Sequence, residues 1–191
     1  VVLMAVEERV ALDLAALEAA ASAVPDPELP VVTLGDLGIV RGVELADDGA
    51  IEVRLTPTFV GCPATEAIAT DVRASVAAYL ATAGAPETEV RTRMAMSPPW
   101  STDWISDDGR RKLAEHGIAP PRGGAVARPA AGPVAVTIGR PGSNNITSNP
   151  QACPHCGSTD TRELSAFGST PCQSLRACRA CREPFGAMKS L

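Results

Sequence analysis

Apolar positions recur along the chain with two periods, and the changes between them mark out the elements. Val6, Val10, Leu14, Leu17 and Ala21 fall three and four residues apart in a stretch rich in Ala, Leu and Glu. That stripe predicts a helix over 4–23, ended by Pro25. The period then shortens to two: Ile39, Val43 and Leu45 alternate with Val40, Gly42 and Glu44, and Ile51, Val53 and Leu55 alternate with Glu52 and Arg54. Two strands, the second with Ile51, Val53 and Leu55 inward, therefore flank an Asp47-Asp-Gly-Ala50 turn. The helical period returns in Ile68, Val72, Val76, Tyr79 and Leu80, predicting a helix over 63–83 that stops at Gly84. Val90, Thr92 and Met94 alternate with Arg91 and Arg93 as a third strand. A right-handed crossover would lay it parallel to a strand of the hairpin. The expectation is a small α/β (α+β) domain.

Beyond the third strand, Ser106 is placed to cap a short helix with Asp107 and Asp108 in its first turn and Gly117 at its end. Trp100 and Trp104 precede it and either pin that helix to the sheet or form a docking surface. From 119 to 150, eleven of thirty-two residues are Pro or Gly, a linker composition in which only Val134-Ala-Val-Thr-Ile138 is strand-like. The organisation read from the sequence is a domain over 4–118, a linker over 119–150 and a cysteine-rich module over 151–191.

Charge is divided along the same line. The net charge of −5 splits into −10 for residues 1–118 and +5 for the rest. An acidic main domain argues against nucleic-acid binding, which depends on neutralising phosphates. No apolar run approaches the roughly 18 residues of a membrane span, and no signal peptide is recognisable. A soluble, cytoplasmic protein is expected, with translation starting at Met4 in the opening Val-Val-Leu-Met.

Cys62 lies in Thr56-Pro-Thr-Phe-Val-Gly-Cys-Pro-Ala-Thr-Glu66, where a strand passes into a helix. Pro63 suits the first helical position, which would make Cys62 the N-cap and lower its thiol pKa through the helix-start amides. A reactive or metal-binding thiol and a small residue closing a turn both fit this pattern. Asp26 and Glu28, in Asp26-Pro-Glu-Leu-Pro30, are either a carboxylate pair able to ligate a metal or part of a turn after a helix.

Cys153-Pro-His-Cys156 and Cys178-Arg-Ala-Cys181 form two C-x2-C knuckles twenty-one residues apart. Each knuckle lets two sulfurs converge on one ion, a tetrathiolate spacing. Zinc is the expected metal, and the same ligands hold a single iron in rubredoxin-type carriers. Gly157 frees the backbone to turn after the second ligand. Arg176, Arg179, Arg182 and Lys189 are expected to offset the negative metal–thiolate centre. His155 is expected to face solvent. Cys172 is surplus to a four-ligand site, either a packed thiol or a second reactive or metal-binding sulfur.

With Asp26-Pro-Glu28, Thr56-Pro-Thr58 and Gly61-Cys-Pro63 in place, residues 4–118 resemble the MIP18 (DUF59) family, small α/β domains associated with iron-sulfur cluster assembly. Cys153-Pro-x-Cys-Gly157, Phe167-Gly-Ser-Thr170, Cys172 and Cys178-x-x-Cys181 with Glu183-Pro-Phe185 resemble the zinc-ribbon tail of the D-component family of bacterial phenylacetyl-CoA epoxidase (phenylacetate-CoA oxygenase) systems. Gly186-Ala-Met188 departs from the aromatic-containing stretch expected there. The resemblance implies a non-enzymatic accessory factor in phenylacetate degradation. Cys62, with Asp26 and Glu28, would transiently hold iron or an iron-sulfur cluster; Cys153, Cys156, Cys178 and Cys181 would hold structural zinc; oxygenase or reductase subunits would be clients. A single thiol per chain suits labile binding, so a homodimer across the Cys62 loop is expected to supply further ligands, unless Cys172 approaches Cys62 within the chain. The alternatives are a rubredoxin-like electron-transfer or structural subunit and, more remotely, a thiol-exchange enzyme using Cys62 and Cys172.

Overall fold

The structure is a computed structural model in which residues 12–59, 61–121 and 151–189 are described. Strand β2 (Ile51–Leu55) is the middle of the first sheet. Its residues Ile51, Val53 and Leu55 are fully buried, as their alternation predicts. It pairs antiparallel with β1 (Val40–Leu45) and parallel with β3 (Val90–Met94). The helix between β2 and β3, α2 (Thr65–Thr82), supplies the crossover that parallel pairing requires. Its Ile68, Val72, Val76 and Leu80 share one core with the sheet and with Leu17 and Ala21 of α1 (Leu14–Ser22).

Two details of the pattern resolve differently. Helix α1 begins at Leu14, where Asp13 Oδ1 accepts the N–H groups of Ala15 and Ala16 at 3.0 and 3.1 Å, a carboxylate cap. Leu14 is exposed, and Val6 and Val10 of the expected longer helix lie outside the described residues. In β1 the register shifts between Val40 and Gly42, with Gly42 at φ 131°. A bulge inserts a residue and breaks the two-residue period, so Val40 is buried on the same side as Val43, opposite Leu55 and Val53. Leu45 pairs with Ile51 and is exposed at the end of the strand.

Both tryptophans secure the segment leading to α3 (Asp107–Glu115). Trp100 is buried and donates its indole N–H to Leu37 O at 2.8 Å, and the Arg41 guanidinium lies 3.6 Å from the centre of the Trp104 ring. Ser106 caps α3 as expected, its Oγ accepting Gly109 N–H at 2.9 Å.

Asp36 ties the loop before β1 to α3. Its Oδ2 accepts the Thr33 N–H at 2.9 Å and the Lys112 ammonium at 2.8 Å. Burial opposes ionisation, but the Lys112 and Thr33 hydrogen bonds outweigh it and hold the carboxyl below its ordinary value. A carboxylate with a depressed folded pKa contributes stability above its unfolded value of about 3.9 and loses it as pH falls through the folded value. Asp36→Asn is therefore expected to cost about 1–3 kcal/mol at neutral pH. The gap to wild type should close below about pH 4, which urea unfolding at the two pH values checks.

The second sheet has the order β4-β7-β6-β5. Strands β5 (Thr161–Ser165), β6 (Gln173–Cys178) and β7 (Pro184–Met188) form an antiparallel meander. Strand β4 (Ile118–Ala119), which directly follows α3, pairs parallel with β7. Phe185 and Ala187 enter a small core with Ala119, Cys153 and Cys178, while Met188 is buried in the larger core of the first sheet. A strand buried on both faces thus links the two sheets. Residues 122–150, including Val134–Ile138, lie outside the described residues. Among the described residues, no helix is long and apolar enough to cross a membrane.

Candidate functional site

The four knuckle cysteines converge. Their sulfurs all lie within 4.8 Å of one another, the Cys153–Cys181 pair at 3.7 Å and the Cys156–Cys178 pair at 3.6 Å. Four thiolates placed tetrahedrally about 2.3 Å from one ion stand about 3.8 Å apart, so the set fits a tetrahedral thiolate metal centre. Gly157 takes φ 74° after the first knuckle, as its sequence position predicts, and its N–H closes the turn onto Cys153 O at 2.8 Å. The second knuckle turns at Arg182, φ 68°, a non-glycine residue that no sequence pattern singles out. In the free thiols, amides of Cys181 and Ala180 pull Cys178 down to about 6 against its burial. For Cys181 the Glu183 amide favours the thiolate, but burial and the neighbouring sulfurs push it up to about 12. Four thiols this close cannot all ionise without a cation among them. His155 is exposed and outside the ligand set. Arg176 and Arg179 face carboxylates, Glu163 at 3.6 Å and Asp160 at 3.7 Å.

The other chemistry-bearing residues meet where the two sheets join. Asp26, Glu28, Cys62 and Cys172 line one cavity, walled by Leu29, Leu37, Ile39, Ile68 and Met188. Its volume is about 10 Å³, room for roughly one water molecule. The loop carrying Asp26 is closed by Asp26 N–H to Val32 O at 3.0 Å, and Asp26 Oδ1 accepts the Glu28 and Leu29 N–H groups at 2.9 and 2.8 Å. Thr56 roots the loop carrying Cys62: its N–H bonds Ile39 O and its hydroxyl bonds Ala95 O, both at 2.9 Å. Cys172 sits in the turn entering β6, with Thr170 Oγ1 at 3.0 Å from its sulfur.

Lys189 fastens these parts together. Its N–H bonds Cys172 O at 2.9 Å and its ammonium bonds Pro171 O at 2.6 Å. That ammonium also lies 4.5 Å from the Phe167 ring centre and 5.9 Å from that of Phe59, in the Cys62 loop. Expected from the sequence to offset the thiolate charge, Lys189 instead bridges the two loops. No pattern in the sequence singles out this bridge.

Cys62 is not the N-cap. Helix α2 starts at Thr65 with Ala64 as the N-cap, and Thr65 Oγ1 donates to Cys62 O at 2.8 Å. Burial pushes the Cys62 thiol up; the Ala64 amide pulls it down, and the Glu28 and Asp26 carboxylates push it up further. Burial likewise raises Cys172, against its Thr170 contact and with Glu28 and Asp26 adding to the rise. Asp26 is raised by burial despite its two amide donors. Both thiols and Asp26 are therefore held toward their neutral forms, the reverse of the lowered thiol pKa that an N-cap position would have given Cys62. A divalent cation among them would invert that balance.

Residues 14–89 match the family described as iron-sulfur cluster assembly protein, and residues 141–189 match the PaaD zinc beta ribbon domain. A relative from Escherichia coli (strain K12), named provisionally as the D component of 1,2-phenylacetyl-CoA epoxidase, is 37% identical over 89% of this chain and 88% of its own. An Fe-S protein maturation auxiliary factor of Porphyromonas gingivalis (strain ATCC BAA-308 / W83) is 33% identical over 46% of this chain and 78% of its own. Among solved structures, a DUF59 domain from Bacillus anthracis is 32% identical with a TM-score of 0.44, covering 52% of this chain and 90% of its own.

Proposed function

The chain belongs to the family of the 1,2-phenylacetyl-CoA epoxidase D component, and from that premise we propose that it is a non-catalytic cytoplasmic factor assisting assembly of an iron-sulfur or di-iron centre. Its clients are the oxygenase or reductase subunits of a phenylacetyl-CoA epoxidase system, and its cargo is iron or a cluster held transiently at Cys62 with Asp26 and Glu28. The observation that carries this reading is the cavity those three residues share. A thiol held neutral by burial and by adjacent carboxylates must give up its proton to bind a cation, which keeps the binding weak and reversible. Names of relatives that include iron-sulfur maturation factors support the same class of role.

Zinc at Cys153, Cys156, Cys178 and Cys181 completes the reading. It supplies folding free energy to a sheet whose own core is small. Zinc-loaded protein, titrated anaerobically with ferrous iron, is expected to take up iron that a chelator removes within seconds. Cys62→Ser should reduce that uptake at least tenfold. Equal uptake by the variant would remove Cys62 from the account.

A further inference from the structure

The sulfur that the sequence expected from a second copy or a client is already present in the same chain. Cys172, from the second sheet, lines the cavity opposite the residues of the first unit: Cys62, Asp26 and Glu28. Its placement is enforced three ways. Met188 is buried in the first unit's core, the Lys189 N–H holds Cys172 O at 2.9 Å, and the Lys189 ammonium lies between Phe167 and Phe59. Asp26 is buried to 8% exposure, and of its two oxygens only Oδ1 accepts hydrogen bonds from the described residues. Its Oδ2 carries no hydrogen bond from the described residues, and Asp26 is one of the residues lining the cavity.

We propose that Cys172 and Cys62 are paired thiolate ligands in this cavity, and that with Asp26 and Glu28 they hold one divalent transition-metal ion rather than a cluster. Size favours the single ion: about 10 Å³ accommodates one water-sized species, whereas a cluster adds bridging sulfides and a second iron. Donor chemistry decides the class of ion. Two thiolates exclude magnesium and calcium, which take oxygen ligands, and two sulfurs with two carboxylates suit ferrous iron or its cobalt and zinc surrogates. Among the described residues, only the four knuckle cysteines bring three or more such ligand atoms within 4.8 Å of one another. The cavity set is therefore wider than a finished site and must close on its ion, which suits release. Because Cys172 enters from the second sheet, the four-cysteine centre becomes a support for the labile one. This inference deepens the reading of the chain as an iron-handling factor and rests on it for the ion's role as cargo.

The test uses the full chain carrying one zinc in the four-cysteine site, titrated anaerobically with cobalt(II). Wild type is expected to bind one further cobalt with thiolate-to-cobalt absorption and without releasing zinc. Cys172→Ser and Cys172→Ala, each checked for retained zinc and unchanged circular dichroism, should lose about half of that absorption and bind at least tenfold more weakly. If both variants match wild type while Cys62→Ser loses the band, the paired site is wrong and the single-cysteine reading stands. Cobalt entering wild type only in exchange for released zinc would overturn both.

Discussion

Removing the metal from Cys153, Cys156, Cys178 and Cys181 is expected to unfold the second sheet and to destabilise the first unit with it. Structural zinc in such thiolate sites contributes on the order of 10–16 kcal/mol. The second sheet has little to replace that with: its own core is Ala119, Phe185 and Ala187 around the ligands Cys153 and Cys178. Without the ion, the close-set thiols also lose the charge that lets them ionise together. The effect reaches further because Met188 is buried in the larger core and lines one cavity with Leu29, Leu37, Ile39 and Ile68. Withdrawing that side chain is comparable to a large-to-small core substitution, about 2–5 kcal/mol. Hydrogen exchange after chelation should show protection lost throughout β6 and β7 and weakened in β2 and α2, and Cys178→Ser should reproduce it. A first unit whose melting midpoint is unchanged by chelation would contradict the shared core.

The elements of the first sheet were legible because their chemistry is local. Ile51, Val53 and Leu55 alternate, Asp48-Gly49 turns, and α2 carries one continuous stripe. The convergence of the four knuckle cysteines was legible because C-x2-C fixes two sulfurs by backbone geometry alone. Two local features read differently in the structure: Ala64 and Thr65 start the helix that Pro63 suggests, and the Gly42 bulge puts Val40 on the same buried side as Val43. The cavity was legible only as residues without an address. Asp26, Glu28, Cys62 and Cys172 each stand in a recognisable motif, but their meeting depends on β4 pairing with β7 and on Met188 entering the other core. Such contacts arise from docking, which no periodicity in the chain encodes.

The second large effect concerns Cys62. Substituting its sulfur with the hydroxyl of Ser preserves size but exchanges a soft thiolate donor for a poor ligand. Because Cys62 is only half-buried and outside the α2 cap, Cys62→Ser should leave zinc content intact and shift stability by under about 1 kcal/mol. Its cost should fall on iron delivery. The decisive measurement is the iron content and specific activity of the phenylacetyl-CoA epoxidase purified from cells whose only copy of this protein carries Cys62→Ser. Both are expected to fall at least tenfold while the variant accumulates to its normal level. Full iron loading and undiminished activity in those cells would contradict the role assigned to the cavity.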